Sequence, residues 1–262
     1  MTNTHQTTDQ NTVIDFDNVK HYFGSLLAVE GLNLKVRHGE RIAILGRTGA
    51  GKSTLLNLLI GNMTPTSGTV RVEGMDPYAQ HKKLQGKIGM AYQQPRLLPW
   101  RTALANVTLG GEIFKQPKEQ REEAARYWLE KMHLGDAMEL HPSQLSGGMR
   151  QRVSLARAFA VNPAFVLLDE SFSALDEVTA KTLRGEFVEL ADEEQITSVI
   201  VTHNIEEAFE LAHRVILLGK PARILSEYHT SECAAVGTPE FALLRSEIQN
   251  TMLNAPSASD PT

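Results

Sequence analysis

A single cysteine, Cys233, occurs in the 262 residues. One thiol excludes a disulfide within the chain and any CxxC metal knuckle. It fits a reducing compartment, and Cys233 is expected to be an inert residue near a loop. No stretch approaches the ~18 consecutive apolar residues of a membrane-spanning helix, so work at a membrane would have to borrow helices from another chain. The opening MTNTHQTTDQNT is polar and lacks an apolar signal core. Residues 1–12 and 255–262 are expected to be disordered tails. A surplus of positive charge is missing too. With 26 Lys and Arg against 31 Asp and Glu, the net charge is −5, so no broad basic field favours nucleic acid. Internal repeats are absent.

Apolar residues make up 42% of the chain, enough for a sizeable core in one large domain or two small ones. Residues 32–36 (LNLKV) and 69–72 (TVRV) alternate apolar with polar, the mark of half-buried strands. Residues 41–45 (RIAIL) form a nearly all-apolar run that suits a central strand covered on both faces. Further strands are predicted at 164–168, 197–201, 215–218 and 223–225. Helices are predicted over 53–60, 117–133, 148–160, 178–191, 205–212 and 239–250. The second of these is charged and amphipathic, with Tyr127, Trp128 and Leu129 assigned to packing. Gly86, Pro95 and Pro99 break residues 78–110 into loop with short elements. Strands alternating with helices imply an α/β domain with a mainly parallel sheet covered on both sides. The helical stretch 95–160 interrupts that alternation and is expected to form a separate lobe.

Gly46, Arg47, Thr48, Gly49, Ala50, Gly51, Lys52, Ser53 and Thr54 spell the phosphate-binding pattern G-x-x-x-x-G-K-[ST], placed between a buried strand and a helix. The glycines let backbone N–H groups wrap phosphates, and the helix N-terminus adds partial positive charge. Lys52 can bridge the β- and γ-phosphates, and the Ser53 hydroxyl can ligate Mg²⁺. No NKxD guanine-reading tetrad accompanies this loop, which disfavours a GTPase. The run FVLLDE at 165–170 is an apolar strand ending in two acids, at the strand end where open α/β sheets bind ligands. Asp169 is placed to hold Mg²⁺, and Glu170 to polarise an attacking water.

Residues 145–152, LSGGMRQR, carry the most specific signal. With the phosphate loop before it, the chain resembles the ATP-binding cassette (ABC) ATPase family, whose signature is LSGGQ; Met149 replaces the glutamine. The resemblance spans about 13–225. It implies a P-loop NTPase of the ABC ATPase fold: a RecA-like core, an antiparallel β subdomain and a helical subdomain at about 95–160. The ATPase domain would run over 13–230, with a helical extension over 231–254. Ser146, Gly147 and Gly148 open a helix, so their hydroxyl and amide donors face an anion; in the family that anion is the γ-phosphate held by the opposite subunit.

Further site residues follow from the resemblance alone. Gln93 matches the Q-loop glutamine that contacts Mg²⁺ and faces the membrane partner, with Gln94 as the neighbouring alternative. Ser173, Ala174, Leu175 and Asp176 match the D-loop. His203 matches the switch histidine at the γ-phosphate. Phe23, or else Tyr22, matches the ring that stacks on adenine. One departure is Ser171, where the family usually has a proline that would rigidify the turn. The segments at 94–101 (QPRLLPWR), 172–179 (FSALDEVT) and 221–224 (PARI) are similar to importers of the nitrate/sulfonate/taurine group. Leu97, Leu98 and Trp100 suit a groove for a membrane subunit's helix.

The resemblance thus implies an ATP- and Mg²⁺-dependent ATPase that pairs head-to-tail with a second copy or a homologous ATPase subunit. It would act on integral membrane permease subunits, indirectly with a solute-binding protein, as a peripheral protein at the cytoplasmic face of the bacterial inner membrane. Exporter subunits and soluble ABC proteins share the chemistry. The latter usually carry two cassettes or a coiled-coil insertion, and this chain has neither.

Overall fold

The computed structural model describes residues 11–254. Both expected tails lie outside that range apart from residues 11 and 12, and Thr12 already opens the first strand. In chain order the elements are β1 (Thr12–Phe23), β2 (Leu26–Arg37), β3 (Arg41–Leu45), α1 (Lys52–Leu59), β4 (Ser67–Val72) and β5 (Ile88–Tyr92). Four helices follow, α2 (Ala103–Val107), α3 (Leu109–Ile113), α4 (Lys118–Lys131) and α5 (Gly147–Phe159). Then come β6 (Phe165–Asp169), α6 (Glu177–Glu193), β7 (Ser198–Thr202), α7 (Ile205–Leu211), β8 (Arg214–Leu218), β9 (Ile224–His229) and α8 (Pro239–Asn254).

Two sheets result. The smaller is antiparallel, in the order β2-β1-β4; the larger has six strands in the order β5-β6-β7-β3-β8-β9. Neighbours in the larger sheet run parallel except β8 and β9. One strand corrects the sequence reading: β1 lies where no strand was expected, while β5 is one of the short elements expected within 78–110.

The period-2 alternation of the central strands divides the core. Ala43 and Leu45 of β3, Val166 and Leu168 of β6, Ile200 of β7, and Val215 and Leu217 of β8 face one apolar cluster, with α2, α4, α5, α6, α7 and α8. Ile42, Ile44, Phe165, Leu167, Val199, Val201, Ile216 and Leu218 face the other, with α1 and the antiparallel sheet. Covering both faces explains the nearly unbroken apolar runs. Each fully buried aliphatic side chain contributes roughly 1.5–3 kcal/mol relative to exposure.

In the helical stretch, Val107, Leu129, Leu155 and Phe159 are buried in the same apolar cluster that covers one face of the sheet. At the other end of the chain, α8 buries Phe241 and Ile248, and Phe241 meets the Phe209 ring edge-on at 5.3 Å. Trp128 packs against Phe159, with ring centroids 4.9 Å apart. Cys233 is half-buried against the same cluster.

Candidate nucleotide-binding site

Parallel strands deliver β3, β5, β6 and β7 to one edge with their C-terminal ends together. β3 ends at Leu45, and the chain then winds through Gly46–Gly51 into α1. Gly49 and Gly51 adopt left-handed backbone, with φ of +82° and +85°. Only glycine does so without strain. Gly51 is also crowded: a Cβ there would lie 2.7 Å from the Ala222 Cβ and 3.0 Å from the Ala28 carbonyl.

This loop floors a cleft of about 450 Å³. Phe23, Thr48, Gly49, Gly51, Lys52, Ser53, Thr54, Gln93, Asp169 and Glu170 line it, together with Ala28, Lys220 and Pro221. The structure therefore gathers Phe23, Gln93 and both acids at the phosphate loop from four distant stretches of sequence. Tyr22 and Gln94 are not in the lining. Arg47, Thr48 and Ala50 edge a second hollow of about 270 Å³ with Lys220 and Met252 of α8, and Gly46 is buried beneath.

Lys52 Nζ turns back onto its own loop, donating to the Gly46 carbonyl at 2.6 Å and the Arg47 carbonyl at 3.2 Å. Burial pulls its pKa down, opposed by the charges of Glu170 and Asp169. Asp169 is raised, first by burial and then by the neighbouring Glu170. An anion-binding loop beside two acids is a place where a polyphosphate and a hard cation satisfy both partners at once.

Glu170 has φ +48°, a left-handed conformation costing a non-glycine residue about 1–2 kcal/mol. Three contacts around it hold it there. Its amide donates to Val201 O at 2.9 Å, its carbonyl accepts from Ser173 N at 3.1 Å, and Oε1 lies 3.0 Å from His203 Nδ1. His203 reaches the site through this carboxylate and does not line the cleft. Such strain, held by its surroundings, is common at functional sites.

Ser146, Gly147 and Gly148 are not brought to this cleft. Ser146 caps α5, its Oγ accepting from Met149 N at 3.2 Å. Ser146 and Gly147 are exposed. Asp176 caps α6 by accepting from Thr179 N at 3.0 Å, and that bond lowers its pKa. Gly148 abuts this helix: a Cβ there would lie 2.8 Å from Thr179 Cγ2. Trp100 is 71% exposed, while Leu97 and Leu98 are half-buried, so only the tryptophan stands free of the expected trio.

Several residues at the site escaped the sequence reading. Ala28 lines the cleft and its carbonyl accepts from Ala222 N at 2.9 Å; Glu30 N donates to Ala222 O at 3.0 Å. These bonds stitch the β8–β9 turn to β2 and carry Lys220 and Pro221 over the phosphate loop. Gln151 Nε2 donates to Tyr92 O at 3.2 Å. Their partners are remote in sequence, so no local pattern marks them.

Comparison with known proteins decides the family. A model described as ABC transporter matches residues 29–173, more than half of the chain. The chain belongs to the ABC transporter family.

Among relatives of this ABC ATPase domain is the sulfate/thiosulfate import ATP-binding protein of Bradyrhizobium diazoefficiens. It is 42% identical over 79% of this chain and 61% of its own length. The bicarbonate transport ATP-binding protein of Synechococcus elongatus is 39% identical over 73% of this chain and 29% of its own length. The chain thus spans less than two thirds of these two relatives. A solved dimeric ATP-binding cassette in a post-hydrolysis state, bound to ADP and Pi, is 34% identical with a TM-score of 0.70. The match covers 83% of this chain and 98% of that one. Neither of these two relatives is named for nitrate, sulfonate or taurine, so the expected subgroup is narrower than the likeness.

Proposed function

We propose that this chain is the ATP-binding and ATP-hydrolysing subunit of an importer for a small oxyanion. It pairs head-to-tail with a second copy or a homologous ATPase subunit, and drives separate membrane permease subunits supplied by a solute-binding protein. Sulfate, thiosulfate and bicarbonate in the relatives' names and the nitrate and sulfonates expected from sequence are all small oxyanions. Among the described residues no helix is long and apolar enough to cross a membrane, which fits a peripheral position at the cytoplasmic face of the inner membrane.

One observation carries the pairing. Lys52, Ser53, Gln93, Asp169 and Glu170 line the cleft and His203 is bonded to Glu170, whereas Ser146–Gly148 sit on a helix start elsewhere. A second copy turned head-to-tail supplies them. In each site Phe23 packs on the base, and the amides of the 46–54 loop cradle the phosphates. Lys52 exchanges the Gly46 and Arg47 carbonyls for phosphate oxygens. Ser53, Gln93 and Asp169 offer only oxygen donors, the set that suits Mg²⁺, which when bound neutralises charge on the phosphates. Glu170 orients water and takes its proton, with His203 fixing the carboxylate. Asp176 holds the start of α6, so that exposed Ser173 and Ala174 face outward to the twin.

Lys52→Ala should abolish ATP binding, measured by titration of a fluorescent analogue. Glu170→Gln should bind ATP, form dimers in its presence, and turn over at least ~10²-fold more slowly. Near-normal turnover in that variant refutes the role of Glu170, and a strictly single ATP-loaded form refutes the pairing.

A further inference from the structure

Ser171 follows Glu170 directly, and only 1% of its surface is exposed. Its Oγ–H donates to the Ala91 carbonyl at 2.9 Å. The next carbonyl, of Tyr92, accepts from Gln151 Nε2 at 3.2 Å, and Gln151 is also 1% exposed. Two consecutive carbonyls just before Gln93 are therefore gripped by buried side chains. One belongs to the turn that carries Glu170, the other to α5. Beyond Gln94, Arg157 of α5 donates to Pro95 O at 2.7 Å and to Arg96 O at 2.9 Å. Gln93 and Gln94 stand exposed between these anchors. The strand that leads into them, β5, is an edge of the sheet and among the described residues pairs only with β6, so side chains supply holding force that a second neighbouring strand would otherwise give.

We propose that Ser171 is a positioning residue whose hydroxyl ties the Glu170 turn to the strand end bearing Gln93. A rearrangement of the 93–101 segment then reaches Glu170 through this bond. The functional half of the inference rests on the ATPase reading above; the geometric half does not. The bond lies in a dry site, where water does not replace a lost donor. Glu170 sits in a strained conformation that persists only while its surroundings enforce it. Loosening the turn takes the carboxylate out of line with the attacking water while leaving the phosphate loop intact. That lowers kcat and spares KM. A proline at this position has no hydroxyl and cannot make the tie.

The test uses the full chain as parent, Ser171→Ala, and Ser171→Thr, which keeps the hydroxyl. Thermal unfolding first establishes that each is folded. In Ser171→Ala, kcat should fall roughly tenfold with ATP affinity within about twofold. Hydrogen exchange of the 91–94 amides should accelerate roughly threefold to tenfold, the scale of one lost hydrogen bond, while residues 41–45 exchange as in the parent. Ser171→Thr should recover both readings. Parent-like kcat and exchange in the alanine variant overturn the proposal, and so does equal acceleration at 41–45, which marks general loosening. If the parent itself hydrolyses no ATP, the ATPase reading fails and the exchange comparison alone decides the tie. If the alanine variant does not fold, Ser171→Cys, similar in size with a weak donor, is measured the same way, and parent-like exchange at 91–94 overturns the assignment.

Discussion

Asn106→Ala removes a side chain with no exposed surface that organises the turn presenting Trp100. Asn106 Oδ1 accepts from Leu98 N at 2.7 Å. Its Nδ2 donates to the carbonyls of Leu98 and Arg101, each at 3.1 Å, and of Thr102 at 3.0 Å. The deletion does not orphan all four groups. Leu98 O keeps Arg101 N at 3.1 Å, and Thr102 O keeps the amide of residue 106 at 2.9 Å. The Leu98 N–H and the Arg101 carbonyl lose their bonds to this side chain. Each unsatisfied buried group costs about 1–3 kcal/mol. Pro99 and Trp100 are exposed next door, so water reaches part of the turn, and the expected loss is about 3 kcal/mol. That is a large share of the ~5–15 kcal/mol that holds a typical domain together. Urea unfolding measures it as a lower midpoint with unchanged slope. ATP affinity should stay within about twofold, because Asn106 touches nothing in the cleft. A stability loss under ~1 kcal/mol refutes the argument that this one amide holds the segment.

Gly51→Ala should cost about 2–4 kcal/mol, from left-handed strain and collision with Ala222, and should weaken ATP binding at least ~10-fold; calorimetric titration checks it, and parent-like affinity refutes the crowding. Burial raises Glu207 from 4.5 to about 7, partly opposed by Arg184. The folded chain therefore holds a proton that the unfolded chain releases, so stability declines as pH rises from 4.5 to 7 and the deficit is complete above that. Glu207→Gln should gain about 3 kcal/mol at pH 8 and almost nothing at pH 4.5, read as paired melting curves; a gain independent of pH refutes it.

The central strands and the phosphate loop were legible because both depend on local pattern. RIAIL and FVLLD are apolar throughout since both faces are covered, and glycines at 49 and 51 are fixed by the turn itself. β1 was missed because its pairing shifts register between Phe16 and Val19 and again at His21, which breaks the alternation. β5, expected only as an unspecified short element, is short and holds Gly89, where a Cβ would lie 2.4 Å from the Ala158 carbonyl. That glycine answers to the close approach of α5. The same limit applies at the site. Glu170 follows an apolar strand and can be found by eye, whereas Gln151 and Ser171 act through backbone atoms of β5, and Asn106 through those of the turn just before its helix. Ser171 was noticed only as a missing proline and read as a source of freedom; its hydroxyl is in fact bonded.

The 13 residues of α5 make a rod about 20 Å long. Its tip shows bare donors to whatever lies outside the molecule, while its flank and far end grip the main chain at 92–96. A stiff rod turns tilt at one end into travel at the other. One continuous element therefore joins the exposed start beside Ser146 to the main-chain carbonyls of Tyr92, Pro95 and Arg96, so the two places share a single support.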